Sequence, residues 1–171
     1  MKDLKLINPE NASEEEVKAY ATREAGRAVV VDMDGLVALL HVANESYYKL
    51  PGGGLEGNED KIAALQRECL EEVGCDIDVV TDIGTIVEYR KIFHLKQISY
   101  CYLAKVRGEK GIPSLTEEEA QKGFRQVWLP YEEALQILSA NQATSFEGKK
   151  YIVPRDTIFL EAARGPVKNL K

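Results

Sequence analysis

The sequence predicts an α/β fold. Strand-like apolar runs alternate with helical patterns from end to end, and no linker-like or low-complexity stretch divides them. A second observation is the stretch Gly53–Cys75, where a glycine-rich loop that cannot be helix interior runs straight into a helical pattern. At 171 residues, one domain spanning 1–171 can bury about 70% of its unfolded surface.

Taken in order, residues 1–24 read as an N-terminal extension. A short apolar run (Leu4, Leu6, Ile7) is followed by Asn-Pro, and Ser13-x-x-Glu16 is a capping box that predicts a helix over 13–22. That polar helix is expected either to cover a sheet edge or to contact a second subunit in a homodimer. Ala28–Asp32, the turn Met33-Asp34-Gly35 and Leu36–Ala43 read as a hairpin of two buried strands. Tyr47–Leu50 is a short strand leading into Pro51 and the glycine loop. From Glu59 the pattern is helical, with Ile62, Leu65, Cys69 and Val73 on one stripe. Strands are predicted near 76–80, 83–91 and 95–106, then a mobile polar loop over 108–123. A strand over 124–129 follows, then a helix from Pro130 to about Ser139 and a last helix after Pro154 ending at Gly165.

The charge balance is 22 basic against 28 acidic residues, a net −6 with no basic stripe. That argues against nucleic acid or an anionic membrane as the main partner. There is no apolar run long enough to span a bilayer and no signal-peptide pattern at the N-terminus. Three scattered cysteines fit reduced thiols in a cytoplasm. They do not form a zinc site with His94, because no paired Cys-x-x-Cys exists.

Chemistry concentrates on the central helix. Glu68 and Glu72 are four apart with Glu71 beside them, so three carboxylates project from one flank. Like charges so close stabilise nothing unless a cation sits among them. Oxygen-only ligands suit magnesium or manganese better than zinc. The glycines are not a nucleotide-binding loop of the Gly-Lys-Ser/Thr kind.

The pattern Gly53, Glu59, Arg67-Glu68, Glu71-Glu72 and Gly74 resembles the full signature of the Nudix hydrolases across 23 positions. Two slots usually held by bulky aliphatics are Cys69 and Cys75, a change that bears on packing rather than chemistry. The resemblance implies an α/β/α sandwich with a mixed sheet. It implies a magnesium- or manganese-dependent enzyme that cleaves the pyrophosphate bond of a nucleoside diphosphate linked to another group. Glu68, Glu71 and Glu72 would hold metal, one glutamate would act as base, and Arg67 would support them, with Glu59 in the same network. Metal ions in such a site neutralise phosphoryl charge, orient the leaving group and lower the pKa of bound water. Gly53 and Gly54 would allow close backbone approach to the substrate.

Nudix enzymes often carry a further glutamate on a later loop, and Glu117-Glu118-Glu119 offers three, of which Glu118 is the expected catalytic one. Arg90, Lys91 and Arg125 are candidate phosphate contacts, Arg90 first among them. The strand before the glycine loop, Leu39-Leu40-His41-Val42, lacks the arginine that many nucleotide-sanitising members carry there. Tyr47, Tyr48, Phe124 and Trp128 are expected in the core, as are His41 and His94 on surface or core positions without catalysis. The competing functional class is a catalytically silent Nudix-fold nucleotide sensor. The intact glutamates and the absence of a basic extension favour the enzyme.

Overall fold

The computed structural model describes residues 1–170. Its centre is a seven-stranded mixed sheet built from β1 (Asp3–Ile7), β2 (Ala21–Val31), β3 (Val37–Val42), β4 (Tyr47–Lys49), β5 (Asp76–Arg90), β6 (Leu95–Arg107) and β7 (Phe124–Leu129). The order is β1-β5-β6-β2-β3-β4, with β7 also pairing β3. β1 runs parallel to β5 and β2 parallel to β6, while β5–β6 and the pairings of β3 are antiparallel. The helices are α1 (Glu14–Val17), α2 (Lys61–Val73), α3 (Glu117–Gln121), α4 (Tyr131–Ser139), α5 (Val153–Ala162) and α6 (Arg164–Lys168).

Period-two alternation along β2 divides the interior into two layers. Ala28 and Val30 pack with Leu65, Cys69 and Val73 of α2. Val29 and Val31 pack with Ala134 and Leu138 of α4 and with Phe159 and Leu160 of α5. Helices therefore cover both faces, the α/β/α arrangement expected. Near the glycine loop the second face turns polar. Arg27 of β2, Glu88 and Arg90 of β5, and Gln97 and Ser99 of β6 are buried there with Arg155 and Asp156 of α5.

Several elements differ from the sequence expectation. The apolar run at the N-terminus is β1, which pairs β5 and so covers a sheet edge. The helix expected over 13–22 is only Glu14–Val17, because from Ala21 the chain is drawn into the parallel pairing of β2 with β6. The strands expected at 76–80 and 83–91 are one strand, whose register slips at Val79/Thr81 and Asp82/Gly84 absorb the polar pair between them. Ile62 lies 38% exposed at the first turn of α2, and Ala64 is buried in its place. The last helix is preceded by a π-helical turn (Gly148–Ile152) and followed by α6. Among the described residues no helix is long and apolar enough to cross a membrane.

The segment expected as a mobile loop is tied down. Gly111 N–H donates to Gly74 O at 2.8 Å and Ser114 N–H to Glu71 O at 2.7 Å. Lys110 Nζ pairs with Asp32 Oδ2 at 2.6 Å and lies 4.3 Å from the Trp128 ring centroid. The segment ends in α3, started by a Thr116/Glu119 capping box.

Candidate active site

The glycine loop lies along β2. Ala28 N–H donates to Pro51 O, Gly26 N–H to Gly53 O, and Leu55 N–H to Glu24 O, each at 3.0 Å. Gly52 has φ +128°, and a Cβ there would sit 2.2 Å from Gly26 O. A Cβ on Gly53 would sit 2.2 Å from Glu68 Oε1. The loop is thus pressed between β2 and the carboxylates of α2, which only glycine permits.

α2 is started by Asp60, whose side chain accepts from Ile62 N–H and Ala63 N–H, and is stopped by Gly74 in the left-handed region at φ +68°. Between these caps the structure brings Glu68 and Glu72 together and leaves Glu71 on the open side. Glu72 is 1% exposed; its Oε1 takes Lys49 Nζ at 2.8 Å and its Oε2 takes Gly52 N–H at 2.7 Å. Burial pushes its carboxyl up, with the Glu68 charge adding to the rise, against the opposing pull of Lys49 and Gly52 N–H. Glu68 is 12% exposed and 2.9 Å from Arg67 Nη1. Glu71, 37% exposed on the open side, lies 3.5 Å from the same guanidinium.

Arg67 also forks onto Glu59, Nε to Oε1 at 3.1 Å and Nη2 to Oε2 at 3.0 Å. That hydrogen bond holds Glu59 below the usual carboxylate range. Arg67 thereby ties the loop end to the glutamate flank. The Cys69 thiol is pushed well up by burial and makes no nucleophile.

Beyond the helix, α3 brings one further carboxylate in. Oxygens of Glu68, Glu72 and Glu119 lie within 4.8 Å of one another. The geometry separates Glu119 from Glu118, the residue expected from the sequence. Glu118 is 77% exposed and paired with Lys122 at 2.7 Å, because the capping box turns the N3 side chain, Glu119, back along the helix start. Three acidic oxygens so close, one of them buried, make a donor set suited to a hard divalent cation.

Arg90 does not reach this cluster openly. It is 4% exposed, donates to Glu88 Oε1 and Oε2 at 3.2 and 3.1 Å, and pairs with Glu147. Lys91 pairs with Glu16 at 2.7 Å, and Arg125 lies on β7 opposite His41. Tyr47 is buried, and Tyr48 stacks on His41 with centroids 4.5 Å apart. Phe124 lies under Lys49 at 4.8 Å, and His94 stacks on Tyr20 at 5.7 Å.

Sequence reasoning missed Lys49, Arg23 and Arg27. The Arg23 guanidinium lies against Gly54, where a Cβ would sit 2.9 Å from its Nη2. Arg27 is 8% exposed, its Nη1 donates to Gly26 O at 2.9 Å, and its Nε has no partner. Burial, with Arg155 nearby, pulls Arg27 down to about 10. The signal for Arg27 was a charge inside the apolar run Ala25–Val31; for Arg23, four residues earlier, there was none.

A family model of the Nudix domain matches residues 17–152. No curated protein matches the sequence. Among solved structures, a Nudix hydrolase from Nitrosomonas europaea is similar at TM-score 0.65 and 18% identity, over 85% of this chain and 90% of that one. A MutT protein from Methanosarcina mazei gives 0.59 at 16%, over 89% and 98%. An ADP-ribose pyrophosphatase from Streptococcus suis gives 0.52 at 14%, over 83% and 92%. At these identities the likeness is one of fold.

Proposed function

The chain belongs to the Nudix hydrolase family, and we propose that it is a magnesium- or manganese-dependent pyrophosphohydrolase acting on a nucleoside diphosphate linked to another group. The observation that carries this reading is the convergence of Glu68, Glu72 and Glu119 oxygens within 4.8 Å beneath the glycine loop. A hard divalent cation held there supplies charge neutralisation at the phosphoryl oxygens and makes water more acidic.

This chain's residues do the rest. Glu68 and Glu72 would hold the cation from α2 and Glu119 from α3, with Glu71 on the open side of α2 able to add a ligand. Lys49 and Gly52 N–H hold the Glu72 carboxylate in one orientation. Arg67 holds Glu68 and Glu71 on one side and Glu59 on the other. Gly53 and Gly54 let the substrate's phosphates approach the backbone closely. A water oxygen attacks one phosphorus, the bridging P–O bond breaks, and Glu119, the carboxylate outside the helix, takes the water's proton. Two phosphorylated products leave. Three free, buried cysteines support a reducing, cytoplasmic setting.

The test is a panel of nucleoside diphosphate derivatives incubated with magnesium, with released phosphoryl products as the readout. At least one should be hydrolysed by the wild type and not by Glu72→Gln. A folded, metal-loaded protein that cleaves none of them contradicts the reading.

A further inference from the structure

Among the described residues, five of the eight arginines, Arg67, Arg90, Arg107, Arg155 and Arg164, have a carboxylate within ion-pair distance. Arg23, Arg27 and Arg125 do not. Two of these three lie on β2 against the glycine loop, four residues apart and so on the same face of the strand. Along the loop, Gly52 approaches the Arg27 backbone, Gly53 meets the Glu68 carboxylate, and Gly54 meets the Arg23 guanidinium. The two arginines therefore bracket the point where the loop touches the glutamates. Four residues of extended strand put the two arginine Cα atoms about 13 Å apart, a gap that two long guanidinium side chains can close from either end of a diphosphate.

A buried guanidinium without a carboxylate is costly unless something else satisfies it. Arg27 has one backbone acceptor and a bare Nε–H in a position more than nine-tenths buried. Glu72, Glu88 and Asp156 lie near enough to act on it electrostatically, but each is already engaged: Glu72 by Lys49, Glu88 by Arg90, Asp156 by Arg155. The free edge of Arg27 has the fork geometry that takes a phosphate through two parallel hydrogen bonds. Arg23 offers a second, more exposed fork at the loop's outer end.

We infer that Arg23 and Arg27 form a two-arginine clamp that holds the substrate's diphosphate from the sheet side, opposite the glutamates. The inference rests on the proposed pyrophosphate hydrolysis and names the residues that anchor its substrate. The clamp addresses the diphosphate alone, so it tolerates different nucleosides. It also places the anchoring arginines one strand earlier than the Leu39–Val42 strand.

The probe is methylenediphosphonate with magnesium, titrated calorimetrically into wild type, Arg23→Gln, Arg27→Met, Arg27→Lys and Arg125→Gln. Manganese affinity without diphosphonate is measured alongside. Arg23→Gln and Arg27→Met should each weaken diphosphonate binding about tenfold or more. Arg27→Lys should not restore it, since lysine lacks the fork. Arg125→Gln should bind as wild type does, and manganese affinity should not fall in any variant. Wild-type affinity in Arg23→Gln and Arg27→Met, no diphosphonate binding by the wild type, or an equal loss of manganese affinity overturns the clamp. Arg23 is exposed, so its variant keeps the test valid if Arg27→Met fails to fold. Hydrolysis without arginine dependence overturns the clamp alone; arginine-dependent binding without hydrolysis overturns the reaction alone.

Discussion

Replacing Glu119 by Gln should have opposite effects on the metal-free fold and on turnover. Its carboxylate oxygen lies within 4.8 Å of oxygens on Glu68 and Glu72. Two unit charges at that distance repel by about 3 kcal/mol at an effective dielectric of 20. Lys49 and Arg67 already offset much of the charge on Glu72 and Glu68, at 2.8 and 2.9 Å. We expect about 1 kcal/mol of repulsion to remain on Glu119. Gln removes that charge yet still serves at N3 of the capping box with Thr116, so the start of α3 survives. Without metal, Tm should therefore rise by about 2–4 °C. With magnesium, the lost ligand and proton acceptor should lower kcat about a hundredfold. Glu118→Gln should change neither, since that side chain is solvated and paired with Lys122. Calorimetric unfolding with and without magnesium, beside steady-state rates for both variants, makes the assay. A Glu119→Gln enzyme with normal kcat, or a hundredfold loss in Glu118→Gln, refutes the assignment.

Gly53→Ala should place a methyl carbon 2.2 Å from Glu68 Oε1. Glu68 must then move, so manganese affinity and kcat should fall together, and an unchanged affinity contradicts the packed-loop geometry. Cys69→Val should keep activity and remain folded, because Cys69 is fully buried among Leu65, Val73 and Ala28 and serves packing alone. Loss of turnover in a folded, metal-bound Cys69→Val protein would reopen a thiol role. Glu59, held below its usual range by Arg67, stabilises the fold above its unfolded pKa of about 4.3. That contribution should fade as pH falls through the lowered folded value. Denaturant unfolding between neutral and strongly acidic pH should then show a shallower acid decline for Glu59→Gln than for wild type, and parallel curves would count against the pair.

The parts of this fold legible in the sequence are those set by short-range rules. The buried runs at 28–32 and 36–43 identified β3 and the end of β2, and the 3.6-residue stripe of Ile62, Leu65, Cys69 and Val73 identified α2. Helix spacing alone put Glu68, Glu71 and Glu72 near one another with Arg67 beside them, but the oxygens that converge within 4.8 Å are those of Glu68 and Glu72 with Glu119, not Glu71. Long-range pairing decided the rest. Ala21–Glu24 is polar and looks like the end of a helix, but β6 pairs it as strand. Residues 108–123 read as a polar loop, and the Thr116 capping box starts α3 within it. Its consequence, that Glu119 rather than Glu118 faces the helix, depends on Ser114 and Gly111 being tied to α2 from outside the segment. Arg90 looked like a free cation because its partners Glu88 and Glu147 come from the same strand and from 57 residues downstream. Arg23 and Arg27 acquire meaning only when the glycine loop is laid along β2.

The most direct test of the proposed chemistry is the rate of pyrophosphate-bond hydrolysis before chelation, in excess chelator, and after magnesium is restored. If the Glu68, Glu72 and Glu119 cluster works by holding a divalent cation, activity should fall by about a thousandfold or more in chelator, equivalent to several kcal/mol of transition-state stabilisation. It should return with added magnesium while the protein stays folded throughout. Hydrolysis that continues at its original rate in excess chelator would contradict a metal-dependent site at these glutamates.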